Sequence, residues 1–309
     1  MWNSEALFMA QYEHRISPKV HFYARPGLSM VSTGLHGIDH ENVYSPRLWT
    51  QTIYKPTQKQ QLTFNLAIGN STPSLSTRTA AEQAIDLIIS RRGNPTLKFP
   101  KLYQTDIRYS LQAGNVNLSS FASVKFYKDI VVTNHTPEES RLIIGYNNGN
   151  YKEALLMPGI SWRVSNGLRL QANASLLHSE IITSVGKLIQ NTAEGTISMM
   201  YFWRNFSFNL KGNTTSHSLN MSQIRSFNPM GAELSVGWTS GNWRIDAWTR
   251  TSSRLKRRQY TDIAPYRMNQ VFHGRFYGMV KVAYSFDFGK KVQREQRQSD
   301  TSIESAILK

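Results

Sequence analysis

Strict alternation of apolar and polar side chains runs through most of this chain, and only an extended strand puts such a series on two separate faces. Tyr103, Thr105, Ile107, Tyr109 and Leu111 alternate with Gln104, Asp106, Arg108, Ser110 and Gln112. The pattern recurs at Leu62 to Ile68, Leu168 to Leu176, Phe206 to Leu210, Ala232 to Trp238, Trp243 to Ala247 and Val280 to Phe288. The expected fold class is all-β, with Phe206, Phe208, Leu210, Val282, Tyr284 and Phe286 on one side of a sheet and Asp106, Lys211 and Lys281 on the other.

Turn chemistry sorts the connections into two kinds. Short ones fall at Ser17-Pro18, Lys55 to Lys59, Ala113-Gly114-Asn115, Ser165-Asn166-Gly167, Arg204-Asn205 and Ser240-Gly241-Asn242, with the Gly, Asn and Pro content of tight hairpins. Long polar ones fall near residues 32–45, 70–101, 131–151, 179–194, 217–229 and 257–274. The two kinds alternate, so all short turns lie at one end of the sheet and all long connections at the other. That asymmetry is the mark of an outer-membrane barrel; a soluble sandwich mixes loop lengths at both ends. The expected architecture is therefore an antiparallel up-and-down transmembrane β-barrel.

Composition agrees with a surface not wholly in water: 40% of the residues are hydrophobic and only 18% charged, against about 25% charged in typical soluble domains. No apolar run is long enough for a membrane-spanning helix. Cysteine is absent, which excludes disulfides, thiolate metal sites and cysteine nucleophiles. The net charge of +16 is spread along the chain and comes with no nucleic-acid-binding motif, so no nucleic-acid partner is expected. Basic residues on the outer face suit lipopolysaccharide phosphates instead.

Tyr54, Trp162, Trp203, Phe206, Trp238, Trp243, Phe286 and Phe288 all lie close to a short turn or to the end of the last strand. Such a set forms an interfacial aromatic girdle at one end of a barrel. Within the longest connection, Ala81, Ala84, Ile85 and Ile88 have helical spacing, which predicts a helix over Thr79–Ser90 packed across the barrel mouth. Inward charges, among them Asp106, Arg108, Arg169, Lys211, Glu233, Arg244 and Asp246, are expected to satisfy one another and whatever fills the lumen.

The segment Gly93-Asn94-Pro95-Thr96-Leu97-Lys98, with the strand–turn–strand that follows, resembles the barrel of TonB-dependent outer-membrane receptors. Gly69 to Ser76 and the exit from the last strand, Tyr284 to Lys291, are similar to the same family. The resemblance implies uptake of a scarce ligand such as a metal chelate, vitamin, glycan fragment or peptide, through a barrel of 22 strands with an N-terminal plug. It also implies contact with the TonB complex through that N-terminal part.

Alternation supports about thirteen strands, although single-chain bacterial barrels have an even number. Matched to the family from the C-terminal end, the first strand here corresponds to about the tenth of 22. No signal peptide pattern opens the chain. The expectation is a barrel portion over residues 1–289 and a polar tail over 290–309, with plug, signal peptide and upstream strands missing and both sheet edges open. A parallel pairing of the first and last strands is the only closure available to it.

Catalytic motifs are not found: there is no nucleophile elbow, phosphate loop or metal-spaced cluster, and the eight His are scattered. Neither enzymatic activity nor a cofactor is expected, and the His are assigned to loops or lumen. A soluble or surface-exposed β-rich binding module, an adhesin or carbohydrate binder, is the alternative, in which the apolar faces pack on each other.

Overall fold

The structure, a computed structural model, describes residues 2–35, 38–139, 141–184, 186–253, 256–263, 266–273 and 276–286. Its first wall strand is interrupted, so that β1 (Trp2–Met9) and β2 (Tyr12–Ser17) both pair with β3 (Val20–Leu35). After β4 (Ile38–Thr57) and β5 (Gln60–Asn70), an outer excursion carries the single-turn helix α1 (Leu75–Arg78) and the hairpin β6 (Glu82–Ala84) and β7 (Ile89–Arg92).

The wall resumes with β8 (Lys101–Ala113), β9 (Val116–Glu138), β10 (Arg141–Arg163), β11 (Leu168–Thr183), β12 (Gly186–Trp203) and β13 (Phe206–Asn213). A second excursion holds β14 (Ser216–Leu219) and β15 (Arg225–Asn228), followed by the wall strands β16 (Gly231–Ser240) and β17 (Trp243–Ser252). A third holds β18 (Lys256–Ile263) and β19 (Tyr266–His273) before the last wall strand, β20 (Phe276–Tyr284).

Hydrogen bonding follows chain order. The path β1-β3-β4-β5-β8-β9-β10-β11-β12-β13-β16-β17-β20 contains thirteen strands, each antiparallel to its neighbours. This is the up-and-down order expected from the alternating turns. Two-residue turns need positive φ, supplied by Gly114 (φ 59) and Gly241 (φ 54) and, without a glycine, by Arg204 (φ 51). No ladder joins β1 to β20 among the described residues, so the sheet is open, and the parallel closure that the strand directions would require is not formed.

Two expectations are corrected. The predicted helix over Thr79–Ser90 is instead the β6–β7 hairpin, whose β7 adds in parallel to Leu142–Ile144 of β10. The Asp86 carboxylate accepts the backbone N–H groups of Ile88 and Ile89 at 2.8 and 2.7 Å, which fixes a turn in mid-segment. Ile85, Leu87 and Ile88 stay exposed. An apolar stripe with nothing to pack against does not sustain a short helix in water.

The connections read as long loops over 32–45, 131–151 and 179–194 are mostly ladder. β3–β4, β9–β10 and β11–β12 continue as hairpins to Leu35↔Ile38, Glu138↔Arg141 and Thr183↔Gly186. Beyond the wall both faces can be polar, so alternation fades although backbone pairing persists. The segments at 217–229 and 257–274 likewise carry a four-stranded sheet, β14-β15-β18-β19.

Candidate functional site: the two faces of the wall

Burial in the wall is inverted relative to a soluble protein. On β5 the polar Thr63 and Asn65 are buried, while their apolar neighbours Leu62 and Phe64 are exposed. Asp106 on β8 is 7% exposed beside Ile107 at 43%, and Ser123 on β9 is 2% exposed beside Val124 at 61%. Register links these positions into continuous faces: Asn65 pairs with Asp106, and Asp106 with Ser123, while Phe64 pairs with Ile107, and Ile107 with Ala122.

The polar face is the concave one. A depression of ≈ 710 Å³ is lined from it by β4, β5 and β8 to β12, and includes Gln51, Thr63, Arg108, Ser119, Asn173 and Glu194. Its charges are largely compensated. Lys125 meets Glu153 at 3.0 Å, and the Tyr151 hydroxyl donates to the same carboxylate at 2.8 Å. The Gln104 amide donates to both oxygens of Asp106, and the Arg108 guanidinium lies over the Phe121 ring.

Toward β20, register sets Lys211 opposite Glu233, Glu233 opposite Arg250 and Asp246 opposite Lys281, and Arg244 bonds Asp246 at 2.8 Å. The inward charges expected from sequence therefore share one face. Lys211 and Lys281 lie on that face but are exposed, because few side chains stand over the wall near the β20 edge.

The outer face ends in aromatic side chains near the short turns. Trp203 stacks on Phe206 at 6.1 Å, and Phe206 pairs across to the half-buried Trp238. Trp243 meets Tyr284 edge-on at 4.7 Å, Tyr284 meets Phe286 at 4.6 Å, and Tyr54 and Trp162 stand exposed on the same face. Phe288 lies outside the described residues, as does the whole tail over 290–309.

A second aromatic group, Tyr44, Tyr103 and Phe126, sits higher on the outer face, with Tyr103 stacked on Phe126 at 6.2 Å. Sequence reasoning missed it because no turn flags these positions. It also missed four outward lysines beyond this group: Lys101, Lys128, Lys152 and Lys187. Their signal was lysine at the parity of the apolar series, as at Lys101 two residues before Tyr103. His178, assigned to loop or lumen from sequence, is outward on the wall, with its ring 4.0 Å from Glu180.

At the long-connection end the inner face changes character. Ile130, Val132, Tyr151 and Ile181 form an apolar cluster with Leu219 of β14, which folds in over β9 to β12. The Gln223 amide donates to the Thr133 carbonyl at 2.7 Å, and Arg225 to the Gln190 side chain at 3.1 Å, fastening this insertion across the mouth. The Gly93-Asn94-Pro95 segment is anchored on β10: Asn94 donates to the Tyr146 carbonyl, and the Lys98 N–H to the Asn148 side chain. A Cβ at Gly93 would collide with the Thr79 carbonyl oxygen, so the motif's glycine is sterically required. Among the described residues, no group of three or more His, Asp or Glu side chains converges as a metal site.

Solved structures similar to this wall include outer-membrane transporters. The copper transporter OprC superposes with a TM-score of 0.70 at 11% identity, over 92% of this chain and 49% of its own. The FrpB iron transporter from Neisseria meningitidis gives a TM-score of 0.65 at 13% identity, over 92% and 45%. The ferric yersiniabactin uptake receptor FyuA from Yersinia pestis gives 0.58 at 13%, over 92% and 46%. The chain has the barrel fold of TonB-dependent outer-membrane receptors. It spans about half the length of the structures it matches. No protein-family profile and no curated protein sequence matches it.

Proposed function

We propose that this chain is the barrel portion of an outer-membrane transporter that takes up a scarce metal or metal chelate, and that it acts in transport rather than catalysis. The inversion of burial along the wall carries the reading, because exposed Phe64, Ile107 and Val124 beside buried Asn65, Asp106 and Ser123 are tolerable only in lipid. The names of the structural neighbours, a copper transporter, an iron transporter and a ferric yersiniabactin receptor, favour metal cargo over the vitamins, glycans or peptides that the fold also serves.

Membrane dimensions fit the two aromatic groups. From Tyr103 to Ala113 the outer face runs along about 34 Å of strand at about 3.4 Å per residue. A tilt of about 40° reduces that to about 26 Å of height, close to the belt of about 25 Å of such barrels. Tyr103 and Phe126 mark one interface, and Tyr54, Trp162, Trp203, Phe206, Trp238, Trp243 and Phe286 the other. Open backbone at β1 and β20 is untenable in hydrocarbon, so further strands, on this polypeptide or another, complete the cylinder. A plug in the polar lumen and the TonB complex are the partners this arrangement implies.

The test is uptake. Cells deleted for the gene should accumulate less labelled copper or ferric chelate under metal limitation, and the full-length gene should restore accumulation. Undiminished uptake of both would contradict the metal assignment, and recovery of the protein in the soluble fraction would contradict transport altogether.

A further inference from the structure

We propose that the outer face of β8 to β12 holds a docking site for a phosphorylated multi-acyl lipid of the outer leaflet, of lipid A chemistry. This inference rests on the reading of the wall as lipid-facing. Its polar half is the lysine group above Tyr103 and Phe126. Lys101 and Lys128 are direct cross-strand partners on the outer face, and among the described residues neither forms an ion pair.

Like charges directly opposite on neighbouring strands repel, and among the described residues no carboxylate pairs with either of these two. Two strands further on, Lys152 and Lys187 converge on Glu180 at 3.5 and 2.8 Å, with His178 at 4.0 Å from the same carboxylate. Four ammonium groups against one carboxylate leave an excess of positive charge at the level where lipid phosphates lie.

The apolar half lies directly below. Continuous register sets Thr105, Val124, Ala154, His178 and Asn191 in one row beneath Phe126, Lys152 and Glu180, and Ile107, Ala122, Leu156, Leu176 and Ala193 in the next. The alanines sink this part of the wall into a groove of ≈ 680 Å³ flanked by Ile107, Val124 and Leu156. A groove in a lipid-facing wall suits an acyl chain, and the lysines at its head suit phosphates on the same molecule. Free phosphate would use only the lysines; an ordinary phospholipid, with one phosphate, would leave part of the basic group unmatched.

The experiment titrates the full chain, purified in detergent, with bisphosphorylated lipid A, dephosphorylated lipid A and inorganic phosphate, reading bound lipid by native mass spectrometry. The phosphorylated lipid should bind best and lose affinity with salt. The combined K101Q, K128Q, K152Q and K187Q replacement should weaken its binding about tenfold or more. K211Q, on the inner face, should change nothing. A122L with A154L fills the groove while keeping every charge, and should weaken both lipids without touching salt dependence.

Retention of β-sheet dichroism and heat-dependent gel mobility shows that each variant keeps its wall. If the four-lysine variant loses them, the groove variant and the wild-type salt dependence still decide. Equal binding of the two lipids, unchanged binding by the lysine variant, or full displacement by millimolar phosphate would overturn the site while leaving the barrel intact. A wild-type chain that stays monomeric in water without detergent would overturn the wall and the site together.

Discussion

Along single strands of this protein the rule for which residues are buried reverses. On β9, Ser123 is buried and Val124 exposed, yet seven and nine residues further on Ile130 and Val132 are buried at 4% and 2% exposure. On β11, Leu176 is 49% exposed and Ile181 fully buried, and on β3, Leu28 is exposed while Val31 is fully buried. The lower stretch faces hydrocarbon outside and polar groups inside. The upper stretch stands in water and folds an ordinary apolar core beneath β14. One backbone ladder serves two solvents, and the change falls near the non-glycine Asp129 (φ 59) and the register shift between Gly149 and Tyr151. Lys128 and Asp129 of β9 stand there against Asn150 alone, and this bulge shifts the parity of β9 so that Ile130 and Val132 turn inward, while β10 keeps one parity through Glu153, Tyr151 and Gly149.

The largest contrast is expected in the upper core. Ile181→Ala should destabilise the outer end by about 2 to 5 kcal/mol, because it leaves a cavity among Val132, Tyr151 and Leu219. Leu176→Ala, five residues away on the lipid face, should cost far less, since lipid refills the space. Proteolytic clipping of the β14–β15 insertion, followed in detergent, would report the difference, and equal sensitivity of the two variants would erase the distinction.

The next largest effect belongs to the wall. Leu210 is outward and 45% exposed, and Asn209 is inward. Arg at 210 should cost about 2 to 4 kcal/mol in a refolding assay if it lies near the midplane, and Arg at 209 little. A matched cost at both positions would mean that the faces are not distinct environments.

Loss of one outer-face aromatic should be milder. Trp203→Ala removes a ring stacked on Phe206, and such aromatic pairs contribute about 0.5 to 1.5 kcal/mol beyond their burial. A shift in urea midpoint of that order is expected in detergent-refolded protein, with a smaller one for Tyr12→Ala on the open edge.

The smallest effect concerns pH and the outer hairpin. Glu82 accepts from Arg92 at 2.7 Å, and this hydrogen bond holds its carboxyl below the usual range. A lowered value means that the contribution is present above the ordinary carboxylate pKa and is lost as pH falls through the folded one. Exchange of the β6–β7 amides should therefore quicken at acid pH, and Glu82→Gln should make it pH-independent there.

Much of the wall was legible in the sequence because lipid on one side and polar lumen on the other impose period two on every strand. Strand order, the thirteen-strand path, the facing of Phe208 and Lys211 and the open edges followed from that alternation and from the turns. The outer excursions were not legible. In water, the 131–151 hairpin is held by backbone pairing, and its side chains need no alternation, so it read as loop. The β6–β7 hairpin carries apolar spacing that imitates a helix, and only the Asp86 turn and the β10 edge decide otherwise. The second aromatic group and the lysines above it became visible only once register placed Lys101, Tyr103, Phe126 and Lys128 side by side.

The passage of one strand from an inverted to an ordinary environment can be measured on β9. Cysteine is absent from the chain, so single replacements from Ser119 to Val132 can each carry a fluorophore in the protein reconstituted with brominated lipid. Quenching should alternate with period two through Val124, maximal at Ser120, Ala122 and Val124 and low at Phe121 and Ser123, and should vanish for Ile130 and Val132. Uniform quenching along the strand, or quenching that peaks at Ser123 and Lys125, would show that β9 does not pass between two environments.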